Sequence, residues 1–275
     1  MNTELIIVII NYKGLKQSHF KTSLYSLMSQ IGYADFTINI YFEQMRSIPL
    51  FNNIKVIEIP QKYHGKAYKV KEFIINNTKT KYIAFWDADD VYTIDRIYHQ
   101  INLIKEKDLD LCFADFSFFN ESMIISKSFF KLIGINKRKI DILHENYIGL
   151  GIITAKTDFL KSLLPFPEVN TLDWWIAIKS YSRRANIGCV NKILGFYRVY
   201  DKSLGARLIH ITIEDFIKER QNKIQLYKTL GANYLYLVDY YEKLNIKEKF
   251  DDLLQKYRNK QYKNIWGGLI DYEKD

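Results

Sequence analysis

Short apolar runs alternate with amphipathic stretches along the first half of the chain. Each run is brief, rich in β-branched and aromatic residues and bounded by polar residues, which is typical of a buried strand. The predicted strands are Leu5–Asn11, Phe36–Phe42, Ile54–Ile57 and Tyr82–Asp87. The predicted helices are Ser18–Ser29, Gly65–Asn77 and a third from an N-cap at Thr93 to about Glu106, with Ile94, Ile97, Ile101 and Ile104 on one face. This alternation predicts a parallel sheet with right-handed crossovers.

The pattern changes beyond Leu109, where extended segments follow one another with fewer helices between them. The predicted strands are Leu109–Phe118, Ser122–Ser126, Tyr147–Ala155 and Ile187–Tyr200, and the predicted helices are Asp158–Leu163 and Leu172–Arg183. From about Ile213 the chain is rich in Lys, Glu, Leu and Tyr at helical spacing, which predicts two or three amphipathic helices. The pattern therefore predicts an α/β domain over residues 1–210 and a C-terminal helical extension over residues 211–275.

Composition narrows the class of protein. At 275 residues and 48% hydrophobic content, the chain is large enough for one sizeable core. Its two cysteines, Cys112 and Cys189, lie in apolar segments, which argues against a disulfide scaffold or a zinc site and favours a reducing cytoplasm. No apolar run approaches the length that spans a bilayer, and Leu5–Ile10 lacks the flanks of a signal peptide.

The chain is basic, with a formal net charge of +9. A lysine-rich composition is one explanation, and a surface that attracts anionic lipid headgroups or anionic substrates is the other. The basic residues are scattered and match no recognised nucleic-acid module, so a nucleic-acid partner is not expected.

The end of the fourth predicted strand carries the clearest chemical signal. Three carboxylates, Asp87, Asp89 and Asp90, occupy four positions directly after the apolar run Tyr82–Trp86. Carboxylates this crowded repel one another unless a cation lies between them, and Mg²⁺ and Mn²⁺ prefer oxygen ligands. Ligands of open α/β sheets bind just beyond the carboxyl ends of strands. The stretch therefore predicts a divalent metal site and a phosphate-bearing substrate; the alternative is a set of acids that cap the next helix or a turn.

Several segments occur in the order and spacing of one protein family. They are Ile6–Tyr12 with Ser23–Gln30, His64–Ala67, Asp87–Asp90 trailed by Asp95-Arg96, Leu172–Trp175, and Tyr197–Tyr200. Over roughly residues 4–205, the chain resembles the family 2 glycosyltransferases, which have the GT-A fold. It departs from them where a strand ends Tyr41-Phe42-Glu43-Gln44 instead of in paired acids before Gly-Ser, and where Tyr200 replaces a frequent His. The Gln-x-x-Arg-Trp motif of processive synthases is absent, which favours addition of one or a few sugars.

The resemblance implies a Rossmann-like, mixed and mostly parallel sheet flanked by helices, with residues 1–210 as the catalytic domain. It implies a metal-dependent, inverting glycosyltransferase of the hexosyl- or N-acetylhexosaminyl-transferase type. Such an enzyme moves a sugar from a nucleotide-diphosphate donor, here expected to be a UDP-sugar, to a hydroxyl of a glycan or lipid-linked acceptor. Bacterial surface polysaccharide synthesis is the implied role, and Mn²⁺ or Mg²⁺ is the implied cofactor.

The resemblance also assigns roles to individual residues. Asp89 is the leading metal ligand, Asp87 contacts the metal, a metal-bound water or the ribose, and Asp90 is a second candidate for either role. Asp173 is the candidate base, since a carboxylate within reach can take the proton of an attacking hydroxyl; as a first-turn acid it would also suit the helix dipole. The residues assigned to the nucleotide sugar are Asn11, Tyr12, Glu43, Lys66, Asp87, Ala88 and Arg198.

Aromatic and basic residues add further candidates. Trp174 and Trp175 form either an acceptor-sugar platform or part of the core. Because consecutive helical positions point about 100° apart, only one is expected to face the cleft. Lys69 and Lys202 are additional candidates for phosphate contact, although each alone is an ordinary surface group.

Two other functions compete with sugar transfer. A sugar-phosphate nucleotidyltransferase usually carries a Gly-rich basic loop after its first strand, whereas Asn11–Lys16 contains only Gly14. A non-catalytic glycan-binding module on the same fold has no need of both Asp89 and Asp173. Both alternatives are therefore disfavoured.

The C-terminal segment leaves its role open. Three roles are open for it: resting on a membrane surface near a lipid-linked acceptor, packing on the core, or forming a dimer contact. The residues that suggest this choice are Lys256, Tyr257, Arg258, Lys260, Tyr262, Lys263 and Trp266. The expected location is cytoplasmic, with a peripheral membrane contact on the inner face of the cell membrane under the first option. The sugar, the linkage and the oligomeric state are not fixed by the sequence.

Overall fold

One mixed sheet of eight strands organises the part of the chain that the structure describes. The structure is a computed structural model that describes residues 3–43, 54–120, 124, 128–130, 142–143, 146–199 and 212–258. The strands are β1 (Leu5–Asn11), β2 (Phe36–Phe42), β3 (Ile54–Glu58), β4 (Tyr82–Trp86), β5 (Val91–Tyr92), β6 (Leu111–Phe119), β7 (Thr154–Lys156) and β8 (Ile187–Arg198). The helices are α1 (Gln17–Met28), α2 (Ala67–Asn77), α3 (Arg96–Lys107), α4 (Thr157–Ser162), α5 (Leu172–Ser182), α6 (Ile213–Leu230), α7 (Leu235–Lys243) and α8 (Ile246–Arg258).

The strand order confirms the predicted α/β class. Across the sheet the strands lie in the order β3-β2-β1-β4-β7-β6-β8-β5. The first four pair in parallel. β7 runs antiparallel between β4 and β6, β6 is parallel to β8, and β5 is antiparallel to β8. The result is a mixed, mostly parallel sheet with helices packed against it.

The pairing register brings the carboxyl ends of β1 and β4 together. Ile9 pairs with Trp86, so the residues after each strand leave the sheet at the same edge. Every residue of β1 and of β4 is buried, as expected for central parallel strands that are covered on both faces. Because the apolar runs stop at this edge, the first polar residues of both connections, Asn11-Tyr12 and Asp87–Asp89, are placed side by side.

The helix after the acid cluster begins later than the sequence predicted. α3 begins at Arg96 rather than after Thr93, because β5 pairs with β8 and the Thr93 N–H donates to the Leu194 carbonyl at 3.1 Å. Ile94 lies before the helix and is 51% exposed, so its predicted place on the apolar face was wrong. The other three isoleucines of that face are buried, as predicted.

The predicted strand Tyr147–Ala155 was also wrong in its first half. That stretch contains a 3₁₀ turn at Leu150–Ile152, and only β7 is extended. Gly149 and Gly151 interrupt the apolar run, and glycines inside a strand pattern often mark a close approach of backbone to another group. The turn places this backbone beside the acid cluster.

Several expectations lie outside the described residues. Of Ser122–Ser126, only Ile124 is described, and it forms an antiparallel bridge with Phe119. Tyr200, Lys202 and the predicted domain boundary near residue 210 fall between residues 200 and 211, and the chain beyond residue 258 is likewise not described.

Three helices occupy the described part of the C-terminal segment. α6 begins with a capping box in which Thr212 Oγ1 accepts from the Asp215 N–H while the Asp215 carboxylate accepts from the Thr212 N–H. α6 packs against α5 as well as against α7 and α8. No helix within the described ranges has the length and apolar composition needed to cross a bilayer.

A buried polar network joins α3 to the sheet beneath the acid cluster. Arg96, Gln100 and Thr154 are fully buried. Gln100 Oε1 accepts from Arg96 Nε at 3.0 Å and from Thr154 Oγ1 at 2.8 Å. Gln100 Nε2 donates to the carbonyls of Ile152 at 2.7 Å and Cys112 at 3.3 Å. All hydrogen-bonding positions of this amide are occupied, so it ties α3 to β6, β7 and the turn before β7.

Candidate active site

A cavity of about 350 Å³ lies at the carboxyl-terminal edge of β1 and β4. Its apolar lining comes mainly from β1 and β4, and its polar lining includes Tyr12, Lys13, Lys71, Asp87 and Asp89, with Ala88 between the two acids. This volume lies within the range of small-molecule sites, which combine apolar walls with a few convergent polar groups. The cavity thus brings together four residues that the sequence assigned to a metal or a nucleotide sugar, along with two lysines, Lys13 and Lys71, that it did not.

Two hydrogen bonds hold the backbone of Asp87, and its carboxylate lies close to the backbone of Gly151. Its N–H donates to the Tyr92 hydroxyl at 3.2 Å, and its carbonyl accepts from Ser23 Oγ at 2.8 Å. A Cβ added at Gly151 would lie 2.1 Å from Asp87 Oδ2 and 2.5 Å from the Tyr92 hydroxyl oxygen. Only glycine fits at position 151, which the sequence analysis did not single out.

The surroundings of the acid cluster favour the protonated forms of Asp87 and Asp90. Burial, reinforced by the neighbouring Asp89, raises the pKa of Asp87 to about 6. Burial, with Asp89 and Asp87 beside it, raises the pKa of Asp90 well above its usual range. Asp90 is 4% exposed, and its Oδ1 accepts from the Arg198 N–H at 2.8 Å. The nearby positive charges therefore offset the effect of burial only in part, and a bound cation would stabilise the charged carboxylates further.

Arg198 supports the cluster from the end of β8. Its side chain is buried, and Nε donates to the Asp89 carbonyl at 2.8 Å. The guanidinium also lies 4.5 Å from the centre of the Phe119 ring on β6. Arg198 thus binds the backbone of the cluster, and its predicted contact with a donor phosphate stays a prediction.

A second arginine lies behind the cluster. Arg96 is enclosed by the rings of Trp86 and Tyr92, at 4.7 and 4.3 Å from their centres, and its Nη2 donates to the Phe85 carbonyl at 2.8 Å. Burial lowers the pKa of Arg96 to about 10, which leaves it charged at neutral pH. Its charge lowers the pKa of Asp87 against the effect of burial. Arg96 is therefore a fixed counter-charge that partly offsets the acids.

Asp173 lies in the first turn of α5 with both carboxylate oxygens engaged. Oδ1 accepts from the Trp174 N–H and Oδ2 from Asn146 Nδ2, each at 2.9 Å. Burial raises the pKa of Asp173, and these two hydrogen bonds act against that rise. Asp173 does not line the cavity, but it interacts electrostatically with Asp87 and with Lys71.

Tyr197 on β8 gives a second indication that Asp173 and the acid cluster share one region. Burial raises the pKa of Tyr197 well above its usual range, and the three acids of the cluster and Asp173 all add to that rise. Its ring packs on Phe118, with the ring centres 5.8 Å apart. One phenol therefore lies within electrostatic range of both sets of acids.

Lys71 is the candidate that the sequence analysis missed. It is half-buried on α2, lines the cavity, and lowers the pKa of both Asp87 and Asp173. The buried residues Ile74 and Ile75 lie three and four positions further along the same helix. Residues at these spacings share a helix face. The phase of the helix was thus the signal that would have selected Lys71.

The two predicted donor residues at the end of β1 both carry unpartnered polar atoms. Asn11 is 3% exposed, and its Nδ2 has no hydrogen-bond partner among the described residues. Tyr12 lines the cavity, its hydroxyl likewise has none there, and burial raises its pKa. Buried polar groups are normally hydrogen-bonded, so these two atoms mark a place where a polar ligand would be accommodated.

The other basic and acidic candidates lie around the cavity rather than in its wall. Glu43 joins two loops, since Oε2 accepts from the Lys13 N–H at 3.0 Å and Oε1 from the Gly65 N–H at 2.6 Å. Lys66 is exposed just before α2. Lys69 is paired with a glutamate one turn later at 2.8 Å. None of Glu43, Lys66 and Lys69 belongs to the described wall of the cavity.

Both tryptophans of α5 lie in the interior. Trp174 and Trp175 are each 5% exposed, and neither lines the cavity. Trp174 Nε1 donates to the Ile142 carbonyl at 2.5 Å, and Trp175 packs edge-on against Phe166 with the ring centres 5.9 Å apart. Core packing, the alternative to a sugar platform, therefore describes the position of both rings here.

The residues present fit a divalent cation whose coordination shell is completed by substrate phosphates and water. Within the described ranges, no group of three or more His, Cys, Asp or Glu is arranged to hold a metal alone. Asp87 and Asp89 nevertheless share one cavity wall, and the raised pKa of Asp87 indicates a place where positive charge is favourable. Mg²⁺ and similar ions are commonly held by one or two carboxylates, with substrate phosphates and water filling the remaining positions.

The mostly parallel sheet, with carboxylates and a cavity at its carboxyl edge, is the arrangement of the GT-A fold. The sequence model of glycosyl transferase family 2 matches residues 34–144 of the chain. This match agrees with the resemblance that the order of motifs indicated.

Individual relatives are distant. Over 159 residues, the chain is 21% identical to the Escherichia coli UDP-Glc:alpha-D-GlcNAc-diphosphoundecaprenol beta-1,3-glucosyltransferase WfgD, covering 57% of this chain and 60% of WfgD. The fold of this chain is similar to that of S. aureus TarS 1-349 in complex with UDP-GlcNAc, with a TM-score of 0.57 and 15% identity over 80% of this chain and 66% of that chain. It is also similar to the mannosyltransferase PcManGT from Pyrobaculum calidifontis in complex with GDP-Man and Mn²⁺, with a TM-score of 0.56 and 10% identity over 88% of this chain and 69% of that one. The chain therefore spans less than two thirds of WfgD.

Proposed function

We propose that this chain is a metal-dependent, inverting glycosyltransferase that moves a sugar from a nucleoside diphosphate donor to an acceptor hydroxyl. The donor we favour is a UDP-sugar, and the acceptor is a glycan or a lipid-linked glycan. One observation carries the proposal: Asp87 and Asp89 share a cavity wall at the carboxyl ends of β1 and β4, with Asp173 of α5 in electrostatic range.

Asp89 and Asp87 would hold a divalent cation, Mn²⁺ or Mg²⁺, together with the donor diphosphate. When bound, such an ion supplies Lewis-acid stabilisation of the charge on a leaving diphosphate. Arg198 supports the backbone of Asp89, and Gly151 leaves room for the Asp87 carboxylate. Lys71 adds a half-buried positive charge to the same wall and is our candidate for contact with the diphosphate.

Asp173 is the proposed base. Asn146 and the Trp174 N–H orient its carboxylate, and each oxygen keeps a second lone pair for an acceptor hydroxyl. Burial raises its pKa, which makes the carboxylate a better proton acceptor at neutral pH. A single base that activates the incoming hydroxyl leads to direct displacement, and hence to inversion at the anomeric carbon.

The relatives guide the choice of substrates. The name of WfgD specifies UDP-Glc and a diphosphoundecaprenol-linked GlcNAc acceptor, and TarS was captured with UDP-GlcNAc. PcManGT was captured with GDP-Man and Mn²⁺, so donors in this fold are not restricted to uridine nucleotides. We favour addition of one or a few sugars to a lipid-linked acceptor at the inner face of the cell membrane, in surface polysaccharide synthesis.

The decisive experiment screens the purified chain against a panel of nucleotide sugars with Mn²⁺. We expect selective thermal stabilisation by one donor, since a ligand that binds only the folded state raises apparent stability by mass action. That donor should then be hydrolysed slowly without acceptor, in a reaction that Mn²⁺ stimulates and that releases a nucleoside diphosphate. Release of pyrophosphate from a nucleoside triphosphate in the presence of a sugar 1-phosphate would instead indicate a nucleotidyltransferase. Stabilisation without turnover in the presence of glycan and lipid-linked acceptors would indicate a binding module.

A further inference from the structure

The C-terminal helices contact the helix that carries Asp173. Trp174, the residue after Asp173, packs edge-on against Tyr227 of α6 with the ring centres 6.3 Å apart. Gln225 Nε2 donates to the Glu168 carbonyl at 2.8 Å, so α6 also reaches the loop before α5. These contacts place α6 directly behind the first turn of α5.

A buried lysine lies at the centre of this contact. Lys223 of α6 is 1% exposed, and its Nζ lies 5.2 Å from the centre of the Trp174 ring and 5.3 Å from that of Tyr241. Glu219, one turn earlier, lies 3.4 Å from the ammonium group. Removing an ammonium from water costs several kcal/mol, and an apolar residue would fill the same space without that cost. A lysine at such a position therefore suggests a requirement beyond packing.

A second path runs from α6 to the other side of Asp173. The Tyr227 ring stacks on Tyr241, with the ring centres 5.6 Å apart and the planes 13° from parallel. Its hydroxyl donates to the Leu143 carbonyl. Leu143 lies three positions before Asn146, whose amide donates to Asp173 Oδ2 at 2.9 Å. Of the two hydrogen-bond donors to the Asp173 carboxylate, the Trp174 N–H belongs to a residue that α6 contacts, and Asn146 follows the contacted Leu143 by three positions.

We propose that Lys223 and Tyr227 are positioning residues for Asp173, so that the C-terminal helices complete the active site. The ammonium group of Lys223 holds the Trp174 ring, and the Tyr227 hydroxyl holds Leu143, three positions before Asn146. The two groups that orient the carboxylate are therefore fixed from one helix outside the sheet domain. This inference rests on the proposed role of Asp173 as the base.

The test compares Lys223→Met and Tyr227→Phe with Lys228→Met. Methionine retains the volume of lysine without its charge, and phenylalanine retains the stacked ring without the hydroxyl. Misplacement of a reacting group by about 1 Å can cost on the order of 100-fold in rate, so we expect kcat to fall by at least roughly 10-fold in Lys223→Met and by a smaller factor in Tyr227→Phe. The donor KM and the Mn²⁺ affinity should stay within about twofold, because the acid cluster lies on other elements.

Lys228 is the matched control on the same helix. Its side chain is 54% exposed and pairs with Glu242 at 2.9 Å, so its substitution should leave both kcat and KM unchanged. A fall in kcat that is accompanied by an equal loss of donor and Mn²⁺ binding would overturn the inference, because it would reflect general destabilisation. Unchanged kcat in both Lys223→Met and Tyr227→Phe would overturn it as well. If Lys223→Met does not fold, the kcat of Tyr227→Phe decides.

A measurement that needs no turnover separates this inference from the proposed function. Amide hydrogen exchange is expected to quicken between Asn146 and Gly149 and in the first turn of α5 in Tyr227→Phe, and to stay unchanged in Lys228→Met. Unchanged exchange in Tyr227→Phe would overturn the positioning role. A wild-type chain that turns over no donor would instead overturn the proposed function, whatever the exchange result.

Discussion

Asp89 and Asp173 are both aspartates, but the proposed reaction requires a different protonation behaviour of each. Asp89 must stay charged beside a cation, whereas Asp173 must accept a proton. We expect Asp89→Asn and Asp173→Asn each to abolish transfer, with a loss of roughly 10²–10⁴-fold for the base, because asparagine neither holds a divalent ion strongly nor takes up a proton. Release of the nucleoside diphosphate measures the rate, and circular dichroism checks the fold.

Asp158→Asn is the matched control for these variants. Its side chain is 98% exposed on α4, away from the described cavity wall, and its removal should not change the rate. Normal turnover by both Asp89→Asn and Asp173→Asn would refute the roles assigned to them.

Lys71 provides a second test at the residue level. We expect Lys71→Met to raise the donor KM by about 10-fold or more, since a hydrogen bond between charged groups contributes roughly 1.5–3 kcal/mol. Lys69→Met on the same helix is the control, because its ammonium already pairs with Glu72 at 2.8 Å outside the cavity. Steady-state kinetics with the donor as the varied substrate distinguishes the two. Equal effects of both substitutions would argue against a specific role for Lys71.

The sequence identified the site residues that a short sequence motif marks. It missed those whose role depends on their position in three dimensions. Asp87 and Asp89 were predicted to lie at a strand end, and the cavity is found there. Lys71 was passed over for Lys66 and Lys69, because charge was considered without the helix phase that Ile74 and Ile75 establish. Gly151 carries no chemistry, and only the distance to the Asp87 carboxylate explains it.

At the level of elements, the 3₁₀ turn at Leu150–Ile152 has the closest link to the site. We expect Gly151→Ala to destabilise the fold by about 1–3 kcal/mol and to weaken Mn²⁺ binding, because the new Cβ would lie 2.1 Å from Asp87 Oδ2. Urea denaturation and Mn²⁺ titration measure the two effects. Gly149→Ala is the control two positions away, where an added Cβ meets no atom within 4 Å. A Gly151→Ala protein that binds Mn²⁺ normally would contradict the assignment of Asp87 to the metal.

Element boundaries were predicted best where burial is uniform and worst where tertiary pairing overrides local preference. β1 and β2 have the predicted ends, and all of β1 and the last five residues of β2 are buried. Thr93 is a good N-cap by its chemistry, yet its N–H is taken by the Leu194 carbonyl of β8. A two-residue strand such as β5 leaves no periodic signal, so the late start of α3 was outside the reach of pattern analysis.

At the level of the whole molecule, the basic charge and the C-terminal segment bear on where the protein works. We expect the full chain to float with liposomes that contain anionic lipid and to be released by raised salt, because exposed charge pairs are screened within about 10 Å at 0.1 M ionic strength. Liposomes of neutral lipid alone are the control. Absence of flotation with anionic lipid would remove the membrane contact and leave packing on the core or a dimer contact for the segment beyond residue 258.

The buried Gln100 amide has a consequence for how the protein acquires its activity. Its four partners come from α3, β6, β7 and the turn before β7. If any of these segments were out of place, a buried polar group would lack a hydrogen-bond partner. Chain segments more than fifty residues apart must therefore assemble together, in one cooperative step. A nascent chain released before Thr154 would have the acid cluster already synthesised but no stable scaffold to hold it, so competence for catalysis should emerge abruptly during synthesis.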